Sequence, residues 1–90
     1  MITKHVVVKG RVQGVFFRDY TKKQALQFNL TGWVRNLFDG SVEALFCGDE
    51  KMVSDMLSWL KLGSPHSRVD SVHINDIHSD ESFSTFNIRY

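Results

Sequence analysis

The apolar rhythm of this chain changes at Phe17, and that change limits the folds open to it. Residues 4–13 (KHVVVKGRVQ) are rich in β-branched side chains between turn-forming residues and read as a strand. Gly10, inside that run, predicts a bulge or a close backbone approach. From Phe17 onward, Phe17, Thr21, Ala25 and Phe28 recur at helical spacing, with Lys22, Lys23 and Gln27 off the stripe. Gly32 is expected to end this helical stretch, after which TGWVRNL reads as a second strand. Phe38-Asp39-Gly40 supplies hairpin turn chemistry, and SVEALFC follows as a third strand. Asp49 and Glu50 open a second helix, where acidic side chains suit the positive helix start. Its apolar stripe is Met52, Val53, Met56, Leu57 and Leu60, and Gly63 and Pro65 stop it. Arg68 to Ile77 and Phe83 to Tyr90 complete the chain as strands.

The resulting order is β-α-β-β-α-β with one added strand near the end. It predicts the α+β class and a ferredoxin-like split β-α-β sandwich, an antiparallel sheet carrying both helices on one face. Ninety residues suit a single domain over 1–90. With 42% hydrophobic and 23% charged residues the composition is globular rather than disordered. The longest unbroken apolar run, Ala44 to Cys47, is far too short to span a membrane, and MITKHVVVKG lacks a signal-peptide apolar stretch. The single cysteine excludes an intrachain disulfide and implies no oxidising compartment. A cytoplasmic monomer is the default expectation. This fold hosts many unrelated functions, so function must be argued from a site.

The informative stretch is GRVQGVFFR, Gly10 to Arg18, between the first strand and the first helix. A strand–loop–helix junction with glycines can turn its backbone N–H groups toward one point. With the positive helix end these form an anion cradle. Arg18 is the odd residue, because a cation in the first turn of a helix is electrostatically disfavoured. An anion held between Arg18 and the backbone donors reverses that penalty, and a guanidinium fork matches two phosphate oxygens. Charge is skewed the same way: residues 1–36 carry +6 and residues 37–90 carry −5. Asn36 is the second oddity. Strand alternation sets it on one face with Val34, and Trp33 and Arg35 on the other, so a polar amide falls in register with a core valine. It needs hydrogen-bond partners or a wet cleft.

VKGRVQGVFFR (Val8 to Arg18) and GWVRNLFDGSV (Gly32 to Val42) resemble the two signature segments of the acylphosphatases, small enzymes that hydrolyse the phosphoanhydride of acyl phosphates. The resemblance extends to Gly63-Ser64-Pro65, to Val69-Asp70-Ser71-Val72 and to the terminal FNIRY, nearly the whole chain. It implies that Arg18 binds the phosphoryl group and that Asn36 positions the attacking water. The backbone N–H groups of Gly14, Val15, Phe16, Phe17 and Arg18 complete the phosphate cradle, and the expected partner is a small acyl phosphate. If Tyr90 closes the sheet beside the first strand, its carboxylate lies near the site and orients Arg18.

The chemistry implied needs few groups. Phosphoryl transfer is mainly a matter of positioning and of stabilising charge on equatorial oxygens. A carboxylate leaving group, whose conjugate acid has a pKa of about 4, departs without a proton. No metal or cofactor is expected: His5, His66, His73 and His78 show no ligand spacing, and no Walker-type loop or nucleophile elbow occurs. Cys47 lies beside no evident activating base and reads as a small buried apolar residue. Lys9, Arg11 and Lys22 are placed to raise the local concentration of an anionic substrate. The rival reading is a non-catalytic module binding anions or nucleic acid. RNA-recognition domains share this element order but display stacking aromatics on their first and third strands. HVVVKGR has none and SVEALFC only Phe46, so no nucleic-acid partner is expected.

Overall fold

The computed structural model describes residues 1–78 and 82–90; residues 79–81, between the two last strands, lie outside it. The elements are β1 (Ile2–Arg11), α1 (Phe17–Gln27), β2 (Thr31–Asn36), β3 (Val42–Gly48), α2 (Glu50–Leu62), β4 (Arg68–Asp76) and β5 (Phe86–Arg89). They form one five-stranded sheet in the order β4-β1-β3-β2-β5. Both helices lie on the same face, α1 over β2 and β5, and α2 over β1, β3 and β4. This is the ferredoxin-like α+β arrangement that the alternation of periods foretold.

The sheet is mostly antiparallel, and one expectation, about the terminal strand, is corrected. The sheet is mixed, because β5 runs parallel to β2 while the other three pairings are antiparallel. The terminal strand therefore closes the sheet beside β2, not beside β1. Its buried Phe86 supplies the reason: it stacks on Phe46 with ring centroids 5.3 Å apart, which fixes β5 over the apolar floor beneath α1. The first helix also ends earlier than Gly32. It stops at Gln27, and Asn29 makes the exit turn at φ 57, which leaves Gly32 inside β2.

The core follows the predicted stripes. Phe17, Thr21 and Ala25 are the buried residues of α1, and Val53, Met56 and Leu60 those of α2. They pack on Val6, Val8, Val34, Val42, Ala44 and Phe46 from the sheet. Each fully buried aromatic or branched side chain here contributes about 2 kcal/mol of burial free energy. Phe46, the one aromatic of β3, belongs to this core and not to the open face of the sheet. Cys47 is half-buried rather than buried. At Gly10 both readings hold: the β1–β4 register shifts after Lys9, and a Cβ would stand 2.1 Å from the Arg68 carbonyl oxygen. No helix is long and apolar enough to cross a membrane among the described residues.

Candidate active site

Strand β1 ends at Arg11, two residues earlier than its β-branched run suggests, so residues 12–16 form the loop that enters α1. Gly14 takes φ 73 and has open space around it; what it supplies is the backbone turn, not room for a neighbour. Phe16, the residue before the helix, is left-handed at φ 59 and makes no side-chain capping bond. The start of α2 is built the ordinary way, with the Asp49 side chain accepting from the Lys51 amide at 3.0 Å. The first turn of α1 lacks such a side-chain cap, and an uncapped helix start is a place where an external anion can serve.

A cleft of about 330 Å³ opens there, lined by Val12, Gly14, Phe16, Phe17, Arg18, Asp19, Asn36, Ile88 and Tyr90. The fold thus brings Arg18 and Asn36 into the lining of one cavity with the loop. The two side chains are held differently. The Arg18 guanidinium lies 4.9 Å from the centroid of the Tyr90 ring and donates a long bond, 3.4 Å, to the Arg89 carbonyl. Asn36 ends β2 on the helix-covered face, two residues beyond the fully buried Val34. Its Oδ1 is buried and has no hydrogen-bond partner. An unpaired buried amide oxygen is costly, about 1–3 kcal/mol; Thr21 Oγ1 and Ser64 Oγ are also buried without a partner, but of the three residues only Asn36 lines the cleft.

The sequence reading missed Gln13. Its Nε2 donates to the carbonyl oxygens of Leu37 at 2.7 Å and Ser41 at 2.8 Å, tying the loop to the β2–β3 hairpin on either side of its turn. That hairpin turn lies at the predicted Phe38-Asp39-Gly40, with the Leu37 amide donating to the Ser41 carbonyl at 2.8 Å. Asp39 Oδ1 accepts from the Ser41 amide at 2.9 Å and from its hydroxyl. These bonds, the hydroxyl first, hold the Asp39 carboxyl below its usual range. Gln13 thereby links the loop before α1 to the residue that follows Asn36. An amide at the centre of GRVQGVFFR was the available signal, but its partners are 24 and 28 residues away.

Other expected contributors stand outside the cleft. Lys9, Arg11 and Lys22 do not line it, whereas Asp19 does. Strand β5 brings Tyr90 to Arg18 through its ring and through the neighbouring Arg89 carbonyl. Among the described residues, no three His, Cys, Asp or Glu side chains are grouped to hold a metal ion.

A ferredoxin-like α+β sandwich with an uncapped helix start, an arginine and an unpaired amide around one cleft has the chemistry of a site for a small anion. Comparison with known proteins narrows that class. The acylphosphatase family model matches residues 4–88. The acylphosphatase of Pelotomaculum thermopropionicum is 44% identical over 86 residues, which cover 96% of this chain and 94% of the relative. The crystal structure of acylphosphatase from Bacillus subtilis superposes with a TM-score of 0.96 at 38% identity, over the full length of both chains. An acylphosphatase structure from Coxiella burnetii gives 0.93 at 41% identity, covering 98% of this chain and 92% of that one. The chain belongs to the acylphosphatase family.

Proposed function

We propose that water attacks phosphorus directly in the cleft, on a phosphoryl group held by Arg18 and the loop amides and with Asn36 orienting the water. The chain is an acyl phosphate hydrolase, by its family, and its products are a carboxylate and inorganic phosphate. Phosphoryl oxygens occupy the cradle made by the N–H groups of Gly14, Val15, Phe16, Phe17 and Arg18 at the uncapped start of α1. The Arg18 guanidinium takes two of those oxygens and neutralises charge as it spreads over them in the transition state. The Asn36 Oδ1 accepts a hydrogen bond from the attacking water and fixes its line of approach to phosphorus.

The bond from phosphorus to the acyl oxygen breaks, and the electron pair leaves with the carboxylate. That group is a weak base and needs no acid. Asn36 is a neutral amide and takes no proton, so the water's proton passes to a phosphoryl oxygen or to bulk solvent. The reaction is written without a metal or a cofactor. A single chain carries every group named, so we assign the activity to the monomer. We place it in the cytoplasm, a reading that the lone cysteine supports.

One observation carries the reading: Asn36, whose buried Oδ1 has no partner, lines the cavity that Arg18 and Gly14 also line. Hydrolysis in ¹⁸O-labelled water, with chelator present, tests it. Attack on phosphorus puts the label into the inorganic phosphate; label in the carboxylate means attack at the carbonyl carbon and overturns the mechanism.

A further inference from the structure

Ser64, one of the residues with a buried and unpaired hydroxyl, lines a second cavity that shares no lining residue with the cleft. This groove of about 540 Å³ lies between Tyr20 of α1 and the end of α2, and its apolar walls are Tyr20, Trp59, Leu62 and Pro65. That volume falls within the range of small-molecule sites. Tyr20 is 39% exposed and Leu62 80%. Among the described residues no charged side chain lines the groove, whereas Arg18 and Asp19 both line the cleft.

The groove is held in shape by its own turn. Gly63 ends α2 at φ 82, and its amide donates to the Trp59 carbonyl at 2.8 Å. The Ser64 carbonyl accepts from the Ser67 amide at 3.1 Å and from the Ser67 hydroxyl at 2.8 Å. Trp59 packs on Phe17, with ring centroids 6.1 Å apart. The Ser64 carbonyl is thus satisfied inside the turn, while the hydroxyl of the same residue, 4% exposed, is not. Buried polar groups are paired as a rule, so an orphan hydroxyl in the wall of an apolar groove points to a ligand that completes it.

We propose that this groove is a second binding site, for a neutral aromatic alcohol or phenol. The ring of the ligand packs against Trp59, Tyr20, Leu62 and Pro65, and its hydroxyl pairs with Ser64 Oγ, which can donate or accept. A charged ligand would lose its hydration here and find no opposite charge. The site is independent of the hydrolytic reading.

The test is a titration followed by ¹H–¹⁵N correlation spectra, with benzyl alcohol and with benzoate, on wild type, Ser64→Ala and Leu62→Glu. Benzyl alcohol is expected to give saturable shifts at the Trp59 indole N–H and at the amides of Leu62, Ser64 and Ser67, with a Kd of about 1–10 mM. Benzoate, a similar ring carrying a charge, should bind there at least about tenfold more weakly. Ser64→Ala, which loses only the hydroxyl, should bind benzyl alcohol about fivefold more weakly. Leu62→Glu, a change at a largely exposed position, should bind it at least about tenfold more weakly. Dispersed spectra establish that each variant is folded. Shifts that do not saturate, or that centre on Arg18 and Asn36 instead of Trp59, overturn the assignment. So does benzoate binding as tightly as the alcohol, or either folded variant binding as wild type does.

Discussion

Gln13 shows how much of a small site depends on one side chain that touches no substrate. Its two bonds to Leu37 and Ser41 are the direct side-chain link between the loop that carries the cradle and the hairpin that carries Asn36. Replacing it with leucine removes both bonds while each carbonyl keeps one backbone partner, Ser41 from the Leu37 amide and Leu37 from the Gly40 amide, at a cost of about 1 kcal/mol per bond. It also frees the loop to shift relative to Asn36, and a displacement of roughly 1 Å costs on the order of a hundredfold in rate. Gln13→Leu is expected to stay folded by circular dichroism while its kcat/KM falls by about tenfold or more. Wild-type kinetics in the folded variant would show that the loop holds its place without this tie. The residue could not be assigned this task from sequence, because an amide in a loop carries no sign of which distant carbonyls it reaches. Arg18 and Asn36 were legible for the opposite reason: each violates a local rule, one of helix electrostatics and one of strand alternation.

Among the elements, β1, β3 and β2 share a network on the open face of the sheet. Glu43 accepts from His5 Nε2 at 2.7 Å and from Arg35 Nε at 2.5 Å. Burial alone would raise the Glu43 carboxyl, but the bonds from His5 and Arg35 outweigh it and hold it below its ordinary value of 4.5. A depressed carboxyl stabilises the fold at pH values above its unfolded value and loses that contribution as pH falls through the folded one. Glu43→Gln is therefore expected to be less stable than wild type by about 1 kcal/mol at neutral pH. In urea titrations the gap should narrow as the pH drops below 4.5. A gap that stays constant or widens with acid would contradict the charged role given to Glu43.

The same scale shows where sequence reading stops. Strand and helix identities followed from the periods, because burial of one face dictates them. The partner of β5 did not. A terminal strand with alternating apolar residues fits either sheet edge, and only the stacking of Phe86 on Phe46 across the core puts it beside β2. The end of α1 was misplaced because Gly32 looked like a helix stop, whereas the turn is made by Asn29 in the left-handed region. The left-handed Phe16 was invisible for a related reason, since aromatic residues seldom adopt that conformation.

At the scale of the whole molecule, the cleft is assembled from three separated parts of the chain: the 12–18 segment, the end of β2 and the end of the chain after β5. The charge skew, +6 over residues 1–36, belongs to the same half as the cradle. Lys9, Arg11 and Lys22 do not touch the cleft, so any contribution they make is long-range attraction of an anion. Raising ionic strength from about 0.01 to 0.15 M, which shortens the screening length from roughly 30 to 8 Å, should lower kcat/KM and leave kcat nearly constant. Neutralising the three side chains should flatten that salt dependence. Identical salt curves for wild type and the neutralised protein would rule out steering by these residues.

The central claim is that Arg18 and Asn36 act on the same phosphoryl group, one binding its charge and the other aiming water at it. The most direct measurement is kcat/KM for an acyl phosphate, in the presence of chelator, for wild type, Arg18→Ala and Asn36→Ala, with folding checked by circular dichroism. Both folded variants are expected to lose about two orders of magnitude or more, which is about 3 kcal/mol of transition-state stabilisation each. A folded Arg18→Ala or Asn36→Ala that keeps its rate to within about threefold would contradict the account.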